Sequence, residues 1–266
     1  MPIRMGEGMT ATLPIFETAI AAYKLIFRRS RRFLALSWLV LLFVAAASVS
    51  SLALFGPSWG SAMAGLSVLL AQAVFNVAWH RTVMLDEQPR SALGLDRRSL
   101  LYMLATFLLV AITGIMGLTI GLGGVTLAGM VGGEALGGGP FIGIVAGLLL
   151  IVILSLIARF SLILPEIALD RGLKLFRSWE ITRGNGWRLM VIGIIANLPL
   201  AVLSQGLADL VGGLALAGPA ALLLGAIDAT LQFLMLAVSA TVLSLAYMRL
   251  APIRRPAGGS AIPSTA

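Results

Sequence analysis

Residues 28–55 read RRSRRFLALSWLVLLFVAAASVSSLALF: four arginines within five positions, then an uncharged, largely apolar run from Leu34 to Phe55. The run has 22 residues, which at 1.5 Å rise make a helix of about 33 Å, enough to cross a hydrocarbon core about 30 Å thick. Five later stretches repeat the pattern: Gly60–Trp79, Ser99–Leu122, Phe141–Ile163, Trp187–Leu207 and Pro219–Tyr247. Each is continuously apolar rather than alternating, which selects helices over the strands of a membrane barrel. The sixth has 29 residues, about 43 Å if helical throughout, so it tilts or projects beyond the bilayer.

The rest of the composition agrees. Of 266 residues, 59% are hydrophobic and only 11% charged, where a soluble domain carries about 25% charge. A soluble globular domain is excluded, and so is a disordered chain, which needs few apolar residues and much charge. The chain has no cysteine, which excludes disulfides, iron–sulfur clusters, thiol nucleophiles and cysteine zinc sites.

Orientation follows from the cations between the spans. Six precede the first span, four lie between the second and third, six between the fourth and fifth, and three at the C-terminal end, which accounts for all 19 Lys and Arg. The alternate connections, near Pro57, Gly121–Pro140 and Ser204–Gly218, hold none. Both termini are therefore expected in the cytoplasm, with the first run a retained signal anchor. The formal charge of +8 is a cytoplasmic collar that attracts anionic lipid headgroups, with no nucleic acid as partner. The expected domains are an N-terminal segment 1–33, a six-helix membrane domain 34–248 and a short disordered tail 249–266.

Even-numbered spans end with an aromatic beside arginine (Trp79-His80-Arg81, Arg159-Phe160, Tyr247-Met248-Arg249) and odd ones begin similarly (Arg32-Phe33, Tyr102 after Arg98, Trp187-Arg188). Three helical hairpins in a row are expected, and inside-facing helix ends attract these residues without any internal repeat. Two connecting segments have helical apolar spacing: Leu13, Phe16, Ile20, Tyr23 and Phe27 in one, Leu169, Leu173, Phe176 and Trp179 in the other. Glu17, Lys24 and Arg28 fall opposite the first stripe, and Asp170, Lys174 and Arg177 opposite the second, with Asp170 and Lys174 at the i,i+4 spacing of an ion pair. Both helices are expected at the cytoplasmic interface, lying on lipid or on the ends of the spans. The pairs Gly117/Gly121 and Gly143/Gly147 predict close approach of spans three and four at their outer ends. The nine glycines of Gly121–Pro140 lack the lysine and the strand–helix context of a phosphate loop.

Inside the spans the polar candidates are Gln72 and Asn76 (span two), Asn197 (span five), and Asp228 and Gln232 (span six). Asn197 stands near the midplane with Pro199 beyond it, an arrangement that lines a transporter site or simply makes an interhelical hydrogen bond at a kink. Asp228 lies either at the outer headgroups or deep in the bilayer, depending on where the long sixth helix sits. Asp209, expected in a loop, offers it no second carboxylate at comparable depth. His80 is the single histidine, so a metal site or a Ser-His dyad has few partners to draw on. No catalytic residue, metal or cofactor is expected.

The most distinctive local sequence is Leu164-Pro165 at a span end, then Ser178-Trp-Glu-Ile-Thr-Arg-Gly-Asn-Gly-Trp-Arg188. Thr182, Arg183, Gly184, Trp187 and Arg188, with Leu164 and Pro165, resemble a broad group of bacterial multipass proteins related to the membrane domain of some glycerophosphodiester phosphodiesterases. The resemblance covers about a third of the chain, and the rest only as six-span topology. It implies a bacterial cytoplasmic membrane and imports no activity, since the soluble phosphodiesterase domain is missing. Glu180, Arg183 and Arg188 are spaced for a small ion-pair cluster at the surface. Arg183 and Arg188, with Arg177 and Lys174, are the candidates for binding a lipid phosphate. The function expected is non-enzymatic: binding or organising anionic lipids, or a partner membrane protein, at the cytoplasmic face. The alternative is a small-molecule or lipid transporter with a polar site between spans two, five and six.

Overall fold

The computed structural model describes residues 12–87, 95–130, 138–173, 175–214 and 218–251. They form eight helices: α1 Ile15–Arg28, α2 Ser30–Leu85, α3 Arg97–Met130, α4 Gly138–Phe160, α5 Ile163–Ala168, α6 Leu175–Ile181, α7 Gly186–Gly213 and α8 Gly218–Leu250. Among the described residues there is no strand, and six helical segments are long and apolar enough to cross a membrane. The fold is that of an all-helical, multi-pass membrane protein.

α2 supplies two of the six segments, Ser30–Ser51 and Ser58–Leu85. It is interrupted at Gly56, whose φ of 71° and ψ of −176° are non-helical. A positive φ suits glycine, and Pro57 beyond it holds the preceding residue's ψ extended. The two ends of α2 meet: the Phe33 ring stands edge-on to Phe75 at 6.1 Å and to Trp79 at 6.0 Å. Arg29 donates to the Thr82 carbonyl.

α8 is the centre of the bundle and packs against α7, α2, α1 and α5. Half of its apolar window is buried by protein, against 6% of that of α3, so α3 is peripheral and α8 is enclosed. Phe75, Trp79, Ile192, Val238 and Tyr247 fill the space around it. At this end of the bundle, α8 hydroxyls lock α2. Trp79 Nε1 donates to Thr241 Oγ1 at 2.9 Å, and Thr241 in turn donates to the Ala237 carbonyl at 2.6 Å.

α1 lies across the basic ends of α7 and α8. Leu13, Thr18, Ala19, Ala22 and Ile26 are buried against the bundle, while Phe16, Ile20 and Phe27 point outward, 68%, 53% and 73% exposed. The stripe read from sequence therefore divides: Leu13 turns inward and Tyr23 is half-buried, leaving three large apolar side chains on the outer face.

The second interfacial helix differs from its expectation. All six residues of α5 are buried, wedged against α3, α2 and α8, with Pro165 in the first turn where its missing N–H is not needed. The helix then stops. Asp170 (φ 61°) and Gly172 (φ 75°) are left-handed, and helix resumes only as α6. The cause is tertiary. Arg81 Nη1 bonds the Ala168 carbonyl at 2.9 Å, and the Asp170 carboxylate is drawn to Arg81 and Arg98 from two other helices. Leu169, Leu173, Phe176 and Trp179 thus do not form one helical face, and Asp170 is not in a helical i,i+4 pair; Lys174 lies outside the described residues.

Two further expectations are corrected. An added Cβ at Gly117, Gly121, Gly143 or Gly147 would meet nothing within 4 Å, so these glycines are not where α3 and α4 touch. α7 runs on to Gly213, so Asp209 is helical rather than in a loop, and accepts from Gln205 Nε2 at 2.8 Å. A close approach does occur at Gly186, where a Cβ would fall 2.4 Å from Arg159 Nε. Its bare backbone leaves room for the Arg159 guanidinium, 4.5 Å over the Trp179 ring.

Candidate lipid interface at the basic end

Contacts between the helix ends bring the described arginines together at one end of the bundle. Arg29 and Arg32 reach Asp86 at 3.1 and 2.6 Å. Asp86 caps α2 in a left-handed conformation. The hydrogen bond from Arg32, then the charges of Arg29 and Arg32, hold its carboxyl below the usual carboxylate range. Arg81 pairs with Glu87 at 2.7 Å and with Asp170 at 3.5 Å. Arg98 pairs with Asp170 and, at 3.7 Å, with Asp96.

Arg28, Arg31 and Arg183 are exposed and hold no ion pair among the described residues. Arg28, Arg29, Ser30, Arg31, Arg32 and Asp86 line an open pocket of about 350 Å³. One acid among four arginines leaves a net positive concavity, suited by charge-assisted hydrogen bonds to phosphate oxygens.

The headgroup candidates from the sequence fare unequally. Arg183 is exposed. Arg188 donates to the Leu13 carbonyl at 3.2 Å and lies 5.2 Å over the Trp187 ring, so it ties α7 to the approach to α1. Arg177 Nε sits 3.2 Å from Glu166 Oε1. The expected cluster of Glu180, Arg183 and Arg188 does not form among the described residues; Glu180 and Arg183 are both exposed, and the Glu180 carbonyl accepts from the Arg183 N–H.

Glu166 is the residue that sequence reasoning missed. Its side chain is fully buried and accepts from Tyr247 Oη at 3.2 Å, while Arg171 donates to the same phenol at 2.9 Å. Glu166 lies three residues beyond the apolar stretch Phe141–Ile163. The signal was the unbroken apolar run through Leu164, Pro165 and Ile167 on either side of it.

His80, also fully buried, does have partners. Nδ1 lies 2.7 Å from Ser244 Oγ and Nε2 3.3 Å from Tyr102 Oη. Ser244 already donates to the Ala240 carbonyl at 2.8 Å, so its oxygen accepts from the Nδ1 proton, an assignment that leaves Nε2 to accept from Tyr102. The imidazole is thus not placed to take the serine proton.

The intramembrane candidates form separate groups. Asn197 Nδ2 donates to Ser239 Oγ at 3.1 Å and to the Gly193 carbonyl at 2.9 Å. Seven residues further along α7, about 10 Å, Ser204 donates to Asp228 Oδ1 at 2.5 Å and accepts from Gln232 Nε2 at 3.1 Å. Asp228 and Gln232 are therefore brought together, Asn197 apart from them. Gln72 and Asn76 stand on α2 and join neither group; Asn76 Oδ1 is buried without a hydrogen-bond partner. Pro199 lies inside α7 and offers no N–H to the Ile195 carbonyl, and the neighbouring Ala196 carbonyl accepts the Tyr23 hydroxyl of α1 at 2.6 Å.

Comparison of the chain with family models, curated proteins and solved structures finds no match.

Proposed function

We propose that this chain is a non-enzymatic protein of a bacterial cytoplasmic membrane that binds and organises anionic lipid at its cytoplasmic face, with both termini on that side. The supporting observation is that the arginine pocket at residues 28–32 begins where α1 ends, directly after the exposed Phe27, with Ile20 and Phe16 exposed two and three turns further back along the helix. An apolar face beside unpaired cations suits a helix at the headgroup boundary, each basic residue adding about 1 kcal/mol of attraction to an anionic surface. α1 then serves as the interfacial helix, and the six spans as three hairpins entering from the basic side. Arg183 adds a second phosphate contact, beside the partly engaged Arg177 and Arg188. A partner membrane protein would dock on this face too.

Lipid binding ranks ahead of transport because Asn197 pairs with Ser239 while Asp228 and Gln232 gather on Ser204, two separate groups that Gln72 and Asn76 of α2 do not join. The test is lipid enrichment by the full chain. Reconstituted into nanodiscs of mixed phosphatidylglycerol and phosphatidylcholine, it should retain phosphatidylglycerol several-fold over its share. The Arg28→Glu/Arg31→Glu double variant should lose that enrichment. Equal retention of both lipids by the unaltered protein would defeat the reading.

A further inference from the structure

On the far side of the bundle from α1, the surfaces of α3 and α4 part to form an apolar groove of about 200 Å³. Ala105, Leu109, Ile112 and Met116 form one wall at helical spacing, and Ile153 and Ile157 stand across from them. From Ala105 to Met116 the groove follows α3 for about 16 Å, close to half of a hydrocarbon core of about 30 Å. It is one leaflet deep. Towards the basic end, Leu101 and Ile167 line a second concavity of about 340 Å³, one turn from Ala105 and from the groove's Ile163.

The charged lining of this mouth is Asp96, Arg97, Arg98 and Asp170, two cations and two anions. Arg98 is held by both acids, and Asp170 is reached by Arg81 as well, at 3.5 Å. Asp96 also caps α3, accepting from the Ser99 N–H and hydroxyl at 2.9 Å. Arg97 is exposed and has no ion pair among the described residues, while the carboxylates of Asp96 and Asp170 remain 45% and 52% exposed. A lipid that is only anionic would meet two carboxylates beside its one available arginine. A headgroup carrying both charges meets a partner for each.

From this we infer that the α3–α4 groove is a specific site for one phospholipid with an amine-bearing zwitterionic headgroup. One acyl chain fills the groove, the phosphate lies on Arg97, and the ammonium lies against Asp96 and Asp170. The inference builds on the lipid-binding reading but names a different site and a different lipid, so the two fail independently.

The experiment uses the full chain in nanodiscs of equimolar phosphatidylethanolamine and phosphatidylglycerol, extracted, mildly delipidated and examined by native mass spectrometry. One phosphatidylethanolamine per chain should survive delipidation. Ile112→Trp, which fills the groove from its lipid-exposed side, should lower that occupancy at least tenfold. Val110→Trp, an equally bulky change on the same helix outside the groove, should leave it unaltered. Arg97→Gln should lower it several-fold. The Arg28→Glu/Arg31→Glu variant should retain the phosphatidylethanolamine while losing the collar's phosphatidylglycerol. Equal loss in Ile112→Trp and Val110→Trp would mean ordinary annular lipid, and preferential survival of phosphatidylglycerol would mean the wrong headgroup; either result overturns the inference.

Discussion

Glu166 Oε1 lies 3.2 Å from Nε of Arg177, joining a fully buried carboxylate on α5 to a side chain of α6 that is 42% exposed. The same oxygen accepts from Tyr247 of α8. One carboxylate therefore ties three helices together where the chain leaves the bilayer after α4. Removing the cation of a buried pair costs about 3–5 kcal/mol when both partners are enclosed. Water reaching Arg177 screens the pair, so Arg177→Ala should cost less, about 1–3 kcal/mol. Glu166→Gln, which keeps an acceptor for Tyr247, should cost less than Glu166→Ala. Denaturant unfolding in detergent micelles ranks the three, and an Arg177→Ala variant as stable as the unaltered protein would remove the tie.

That tie also marks the limit of what the sequence discloses. The six spans are legible because apolar length is a local property: any 20 apolar residues pose the same problem to the chain. The break at Gly56-Pro57 is legible for a similar reason, since backbone chemistry punctuates the run. The end of the fourth span is not. Whether Asp170 continues a helix or leaves it depends on Arg81 and Arg98, which are 89 and 72 residues away in sequence and adjacent in space. Glu166 is hidden for the same reason, because its partners come from α6 and α8. Among the intramembrane polar residues, Asn197 finds Ser239 and Asp228 finds Ser204, choices that helix packing makes and periodicity does not display.

Glycines offer a paired prediction. At Gly56, with φ of 71° and ψ of −176°, alanine enters a region that essentially only glycine adopts, at a cost of about 1–3 kcal/mol, and pulls against the return of Trp79 to Phe33. At Gly117, where a Cβ meets nothing within 4 Å, alanine should be neutral or stabilise the helix by up to about 1 kcal/mol. Thermal unfolding of the two variants separates the cases. Substantial destabilisation by Gly117→Ala would restore the close helix contact that its spacing first suggested.

The Asp86 pair gives a pH dependence with a definite sign. Arg32 and Arg29 lower the folded carboxyl's pKa below its unfolded value. The stabilisation is therefore present above the unfolded pKa of about 3.9 and is lost as pH falls through the folded one. Asp86→Asn removes that contribution. The stability gap between the unaltered protein and Asp86→Asn should be open at neutral pH and close as pH falls below about 4. Melting temperatures recorded from pH 7 down to pH 2 test it, and a gap that widened toward acid would reverse the assignment.

Tyr23 links α1 to the turn of α7 before Pro199 by donating to the Ala196 carbonyl at 2.6 Å. Pro199 has no N–H for the Ile195 carbonyl, so the helix lacks one backbone hydrogen bond one residue from the carbonyl that Tyr23 reaches. Tyr23→Phe keeps the ring and removes the hydrogen bond, for an expected loss of about 0.5–1.5 kcal/mol. Burial raises the Tyr23 phenol above its ordinary value. The folded state therefore holds the proton more tightly, and the contribution of the phenol is intact below the unfolded pKa of about 10 and declines as pH rises through the folded one. The phenylalanine variant should lack that alkaline decline. Because the lost contact also anchors α1, amide exchange in α1 should accelerate in Tyr23→Phe more than exchange in α8. Uniform exchange changes across the bundle would mean that the phenol stabilises the fold generally rather than seating this helix.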